Sequence, residues 1–166
     1  MLGIVNAAAE RYRGAIPSDC WHEPYMSAEQ LDRDVAAGVR FWGFVDAAGE
    51  LLGVMGLQSV RDVDLVRHAY VRPDRQGRGV GGRLLAHVEA LTPGRILIGT
   101  WADAEWAIRF YEAHGYTRVP PDTAAALLRT YWEIPARQIE TSVVLAKPGW
   151  GDGGAGGLEV PGAPRA

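Results

Sequence analysis

Four glycines fall within six positions, at Gly77, Gly79, Gly81 and Gly82. They lie between a strand-like run, Asp64 to Val71, and a helix-like run, Gly79 to Leu91. Glycine enters left-handed backbone conformations without a Cβ penalty, so such a cluster marks a tight turn with its amides uncovered. Pro73 stops the strand, because it brings no N–H to a ladder. Val80, Leu84, Leu85, Val88 and Leu91 recur on one side of the helix that follows. A second strand, Arg95 to Trp101, carries Ile96, Leu97 and Ile98 at its heart. Strand, turn, helix and strand in that order form a crossover unit, which puts a parallel pair into the sheet.

Upstream, Ile4, Val5, Ala8 and Tyr12 predict a helix over 4–12, with Pro17 beyond its end. Residues 17–26 read as a loop carrying Trp21, His22, Glu23, Pro24, Tyr25 and Met26 in a row. Ser27-Ala28-Glu29-Gln30 is a capping box, opening a helix that presents Leu31 and Val35 and stops at Gly38. Arg40 to Asp46 and Glu50 to Val60 are rich in aromatic and β-branched residues and form a hairpin around Ala47-Ala48-Gly49. Downstream, Asp103 to His114 predicts a helix with Ala107, Phe110, Tyr111 and His114 on one face. A short strand at 115–119, a small helix at 123–131 and a last strand at 140–146 complete the pattern. The expected fold class is α/β: a mixed sheet, antiparallel in its first strands and parallel around 64–101, flanked by helices. One domain is expected over 1–147. Seven of the last nineteen residues are glycine and three are proline, so 148–166 read as a disordered tail.

Composition narrows the function classes. A chain of 166 residues with 48% hydrophobic and 22% charged residues is an ordinary globular domain. A net charge of −3 offers no basic surface to nucleic acid or to an anionic membrane. Cys20 is the single cysteine, which excludes an internal disulfide and a cysteine-built zinc site. His22, Glu23, His68 and His114 show no ligand spacing, so no metal is expected. No apolar run reaches the ~18 residues of a membrane span, and Met1-Leu2-Gly3 opens no secretory signal; the cytoplasm is the expected location. Sixteen arginines stand against one lysine, Lys147, the mark of a GC-rich genome, so any one arginine needs a positional argument.

A glycine turn feeding a helix N-terminus is suited to an anion, because consecutive amides converge there beside the positive end of the helix. Arg75, Arg78 and Arg83 add charge around it. Gly77-x-Gly79-x-x-Gly82 matches the dinucleotide fingerprint, but the context does not. Five residues, Arg72 to Gln76, separate strand from glycine, and antiparallel-looking strands come first.

Val71-Arg72-Pro73-Asp74-Arg75-Gln76-Gly77-Arg78-Gly79-Val80-Gly81 resembles the acyl-CoA-binding signature of the GNAT N-acetyltransferase superfamily, V-x-P followed by Q/R-x-x-G-x-G/A. Ala107-Ile108-Arg109-Phe110-Tyr111-Glu112-Ala113-His114-Gly115-Tyr116 resembles its second motif, A-x-x-F-Y-x-x-x-G-F, with Tyr116 in place of phenylalanine. The resemblance covers about residues 2–147. It implies acetyl-CoA as cosubstrate, with the pyrophosphate on amides of Gln76, Gly77, Arg78, Gly79, Val80, Gly81 and Gly82. The pantetheine arm would pair beside Ala69-Tyr70-Val71, in a slot where this strand splays from Arg95–Trp101. It further implies transfer of the acetyl group to a primary amine by direct attack in a ternary complex, with a backbone N–H near Val71 holding the oxyanion.

Tyr111 matches the position at which many family members place the acid that protonates the departing thiolate. For the base that takes the amine's proton, Glu23 in the acceptor-side loop is the expected residue, with His22, His68 and Asp103 as alternatives; Asp103 also reads as a helix cap. Trp21 and Tyr25 would wall the acceptor slot, and Glu23 beside it favours a small cationic amine. Two departures stand out. Met1-Leu2-Gly3 leaves no room for the strand that usually precedes the first helix, and Ala104 replaces a frequent cofactor-contacting asparagine. The alternative function is a non-catalytic acyl-CoA-binding regulatory module. A homodimer through an exposed last strand or through 123–131 is also open.

Overall fold

In the computed structural model, which describes residues 1–92 and 94–149, local sequence signals become elements largely where expected. The chain forms two compact units, one over residues 1–98 and a second beginning at Gly99. In the first unit, α1 (Leu2–Ala9) runs into a 3-10 turn at Glu10–Tyr12, which together occupy the expected 4–12 segment. The Ser27 hydroxyl accepts from the Gln30 N–H at 3.2 Å and so caps α2 (Ala28–Ala36), while Gly38 leaves it at φ +93°. The face that α2 buries differs from the expected one. Val35 is 52% exposed, and the carboxylate of Asp34 is turned inward instead.

β1 (Arg40–Val45) and β2 (Leu51–Val60) form the hairpin. Its turn is held by the Asp46 carboxylate, which accepts from the N–H groups of Ala48 and Glu50 at 2.9 Å each. β3 (Val63–Val71) pairs antiparallel with β2 from Val60↔Val63 to Gly53↔Val71, and the register slips by one residue between Val54 and Gly56. After a 3-10 turn at Pro73–Arg75, α3 (Val80–Ala90) buries Val80, Leu84, Leu85 and Val88, whereas Leu91 lies beyond it, exposed. β4 (Arg95–Trp101) returns parallel to β3, its ladder running from Val63↔Arg95 to Val66↔Ile98. These pairings give the mixed sheet expected from the sequence, antiparallel through β3 and parallel at β3–β4. No strand precedes α1 among the described residues.

The second unit takes up the end of β4 and continues with α4 (Glu105–Glu112), β5 (Thr117–Arg118), α5 (Pro121–Tyr131), α6 (Ala136–Glu140) and β6 (Ser142–Ala146). α4 buries Ala107, Ile108 and Tyr111, while His114 is exposed with Nδ1 2.7 Å from the Phe110 carbonyl. The short α6 was not expected; five residues are too few to show a periodicity. Strand order across the sheet is β1-β2-β3-β4-β6-β5. The last strand is therefore interior, which removes it as an exposed dimerisation edge. Of the expected tail, residues 150–166 lie outside the described residues.

Candidate functional site

The glycine turn takes the shape that its composition dictates. Gly77 lies at φ +72° and Gly79 at φ +78°, the left-handed region that other residues enter at a cost of about 1–2 kcal/mol. Gly79 is the N-cap of α3 and offers no side chain, and no acidic residue stands in the first turn. The first intrahelical bond runs from the Arg83 N–H to the Gly79 carbonyl at 3.1 Å. The amides of Val80, Gly81 and Gly82 are thus the orphan donors at a positive helix end, and among the described residues no side chain caps them. Such an end accepts an anion.

Gln76 works as a brace. Its amide nitrogen donates to the Val71 carbonyl at 3.2 Å, and its amide oxygen accepts from Arg11 Nη1 at 3.0 Å, so both ends of the side chain are engaged within the protein. The arginines divide. Arg75 pairs with Asp74 at 3.4 Å and reaches Glu50 at 3.9 Å, while Arg72 pairs with Glu50 and Asp74. Arg83 lies 5.7 Å over the Phe44 ring, and Arg78 is exposed at the turn.

Upstream of the turn, the end of β3 has an open side. The Arg72 N–H bonds the Leu52 carbonyl of β2 at 2.9 Å. Backbone groups alternate along a strand, so the N–H and C=O of Val71 aim at the opposite edge. The ladder with β4 ends before this point, at Val66↔Ile98. Two residues of β3, His68 and Ala69, stand opposite the single Met55, a β-bulge, and His68 adopts φ +51°. Bulges bend the strand that carries them, which accounts for the end of the parallel ladder here. Ala69, Tyr70 and Val71 follow as half-buried residues.

The bulge also breaks the alternation of side chains. Arg67 and His68 are neighbours in sequence, yet both reach Asp34. His68 Nε2 lies 2.9 Å from Asp34 Oδ2, a close contact without good hydrogen-bond alignment, and Arg67 Nη2 lies 3.8 Å from Oδ1. Gln30 donates to Oδ1 at 3.1 Å, and Arg67 Nη1 donates to Gln58 at 2.6 Å. The His68 ring stacks on Phe41 at 5.7 Å. Burial pushes the Asp34 carboxyl up, but His68, then Arg67 and Gln30, outweigh it and hold the group below the ordinary aspartate range. Burial in turn lowers the Arg67 guanidinium. Simple strand alternation could not have disclosed this cluster; the sequence signal would have been an aspartate at a buried helical position.

The expected base, Glu23, is fully exposed and ion-paired. Arg13 Nη2 donates to its Oε1 at 2.6 Å and Trp21 Nε1 donates at 3.3 Å, while Arg13 also bonds Glu10. Those bonds, Arg13 first, hold the Glu23 carboxyl below its ordinary value. His22 is exposed in the same loop. Trp21, Tyr25, Tyr70 and Tyr12 form a continuous row of rings, with centroid separations of 5.6, 6.1 and 6.2 Å, and the Tyr70 hydroxyl donates to that of Tyr25 at 3.0 Å.

In the second unit, Tyr111 is 6% exposed and packs edge-on to Phe110 at 5.0 Å and Tyr116 at 6.1 Å. Asp103 is exposed and does not cap α4; the N-cap is Ala104, with no side-chain bond. Expecting a cap one residue early is the usual margin of helix boundaries read from sequence.

Residues 37–118 match the family described as acetyltransferase (GNAT) domain. No curated protein sequence matches the chain. Among solved structures, the chain is similar to the PaiA N-acetyltransferase of Thermoplasma acidophilum in complex with coenzyme A, at 16% identity and a TM-score of 0.64, over 88% of this chain and 89% of that one. A GNAT-family acetyltransferase of Staphylococcus aureus matches at 14% identity and TM-score 0.63, over 88% and 89%. A GNAT-family acetyltransferase of Elizabethkingia anophelis with acetyl-CoA bound matches at 21% and 0.56, over 80% and 90%. At such identities the likeness is one of fold. No described helix is long and apolar enough to cross a membrane.

Proposed function

Because the chain belongs to the GNAT acetyltransferase family, we propose that it transfers an acetyl group from acetyl-CoA to a primary amine within a ternary complex. The observation that carries the reading is the junction of β3 and α3. At Val71, beyond the end of the β3–β4 ladder, a strand edge whose carbonyl is held by the Gln76 side chain stands beside an uncapped helix end whose turn glycines lie at positive φ. That combination suits a ligand with an anionic head and a peptide-like arm. The pyrophosphate would rest on amides of Gly77 to Gly82, the arm would pair along Ala69, Tyr70 and Val71, and the Val71 N–H would receive the charge developing on the carbonyl oxygen. Gln76 would act by holding the turn against the strand.

The amine lone pair forms the new N–C bond, the C–S bond breaks, and the products are the N-acetyl amine and CoA thiol. Two proton movements accompany this. Tyr111 is the proposed acid for the thiolate. For the ammonium proton, His68 is the proposed acceptor in place of Glu23. Arg13 stabilises the Glu23 carboxylate and so lowers its affinity for a proton, whereas the His68 ring carries no such cation among the described residues and lies 2.9 Å from Asp34 Oδ2. Glu23 then serves to fix Arg13 and Trp21 in the acceptor-side loop. The proposed setting is the cytoplasm, where acetyl-CoA is made and used.

Thermal unfolding with and without CoA and acetyl-CoA, followed by thiol release against a panel of amines, tests the reading. Stabilisation by acetyl-CoA with amine-dependent thiol release is expected. Stabilisation without turnover on any amine would favour an acyl-CoA-binding module, and no shift with either CoA species would refute the assignment of the turn. Glu23→Gln should keep kcat within about threefold, while His68→Gln should lower it about 100-fold, the usual scale of a lost general base.

A further inference from the structure

We propose that the amine acceptor carries an aryl group, and that the row Trp21, Tyr25, Tyr70 and Tyr12 is its binding wall. This rests on the transferase reading and names its substrate class. Three observations converge.

First, Glu23, the carboxylate expected to select a plain cation, is already engaged. Glu23 is bonded by Arg13, which also takes Glu10, and Arg11 is on the same segment. Over residues 10–26 three acids, Glu10, Asp19 and Glu23, stand against two arginines, Arg11 and Arg13, and Arg13 engages both Glu10 and Glu23. A small aliphatic diamine would find the Glu10 and Glu23 carboxylates already engaged by Arg13.

Second, aromatic surface takes the place of charge. The four rings are half-buried, each keeping part of its surface open, and successive centroids lie 5.6 to 6.2 Å apart. The face of Trp21 already stacks a flat, delocalised group, the Arg13 guanidinium, at 4.6 Å. A face that holds a planar cation also holds an aromatic ring.

Third, the row is continuous with the reacting strand. Tyr70 immediately precedes Val71, the residue whose N–H aims at the open edge of β3. An amine on a two-carbon arm can therefore keep its ring on the wall and its nitrogen near the strand. The reaction remains balanced: the free amine attacks the thioester carbonyl, the N–C bond forms, C–S breaks, and the amine proton ends on the CoA thiol by way of the protein.

The test compares 2-phenylethylamine, hexylamine and 1,4-diaminobutane as acceptors for the full chain with saturating acetyl-CoA. The aryl amine should show kcat/KM about tenfold above either aliphatic amine, the scale of one good ring contact. Trp21→Ala should raise KM for 2-phenylethylamine about tenfold and leave KM for acetyl-CoA unchanged. A parallel titration follows 2-phenylethylamine binding to the CoA-loaded protein by calorimetry, for wild type and Trp21→Ala. Turnover that favours diaminobutane or hexylamine, with no effect of Trp21→Ala, overturns the aryl site and leaves the transferase standing. Trp21-dependent binding without turnover of any amine supports the site and overturns the transferase. Neither binding nor turnover of the aryl amine overturns the site.

Discussion

Removing the Asp34 carboxylate is the sharpest test of how the bulge is held. Asp34 is the one buried charged residue among those described, 8% exposed, and it gathers His68, Arg67 and Gln30 from two elements. Deleting one partner of a buried ion pair costs about 3–5 kcal/mol, because the other charge is left uncompensated. Two features reduce that figure. Arg67 keeps its 2.6 Å bond to Gln58, and its contact with Asp34, at 3.8 Å, is long. Asp34→Ala is therefore expected to lose about 2–3 kcal/mol, below that range. For a chain of this length that is about 5–10 °C in Tm.

Urea unfolding at pH 7 measures the loss, and a cycle with Arg67→Met separates the pair from the rest, the double variant losing less than the sum of the singles. The pH dependence has a definite sign. The folded carboxyl is lowered, so its contribution is complete above the unfolded value of about 4 and drains as pH falls from there through the folded value. The gap between wild type and Asp34→Asn should narrow only below about pH 4. A loss under about 0.5 kcal/mol at pH 7, the level of ordinary surface changes, would refute the clamp.

Gly79→Ala places a Cβ at φ +78° and should cost about 1–2 kcal/mol while abolishing most of the thermal stabilisation by acetyl-CoA, read in the same melting assay. Tyr111→Phe should lower kcat about tenfold or more with KM for acetyl-CoA unchanged; an unaltered kcat removes the acid. Gly56→Ala would set its Cβ 2.8 Å from Val39 Cγ1 and 3.0 Å from the Arg67 carbonyl oxygen, a backbone atom that cannot step aside. A loss of about 1–3 kcal/mol in urea unfolding is expected, without any direct effect on ligand contacts.

Much of this molecule is written in short-range signals. The Ser27 cap, the hairpin turn at Asp46 to Gly49 and the glycines at 77 and 79 each follow from what one residue type does to its own backbone, and all are where the sequence puts them. The strand Arg95–Trp101 was legible to the residue because its apolar centre is bounded by a glycine and a helix cap region. What the sequence hid is tertiary. Val35 looked like the inward residue of α2 because it is apolar, but the partners of Asp34 lie on β3 and dictate the opposite choice. Glu23 looked available as a base because its partner Arg13 is ten residues away across a loop. The pairing that made the last strand interior depends on contacts between distant segments, which no local pattern reports.

The bulge in β3 adds a different kind of information. On either side of it, Val66↔Leu57 and Tyr70↔Val54 keep their partners, so both halves of the strand remain correctly matched to β2. The extra position offsets the pairing of one half from that of the other by a single residue. Take one residue out, and the pairing of β3 with β2 becomes an uninterrupted ladder, free of the extra residue. At this point in the chain a single-codon deletion acts on the count of residues rather than on any side chain, and does so by making the sheet more regular.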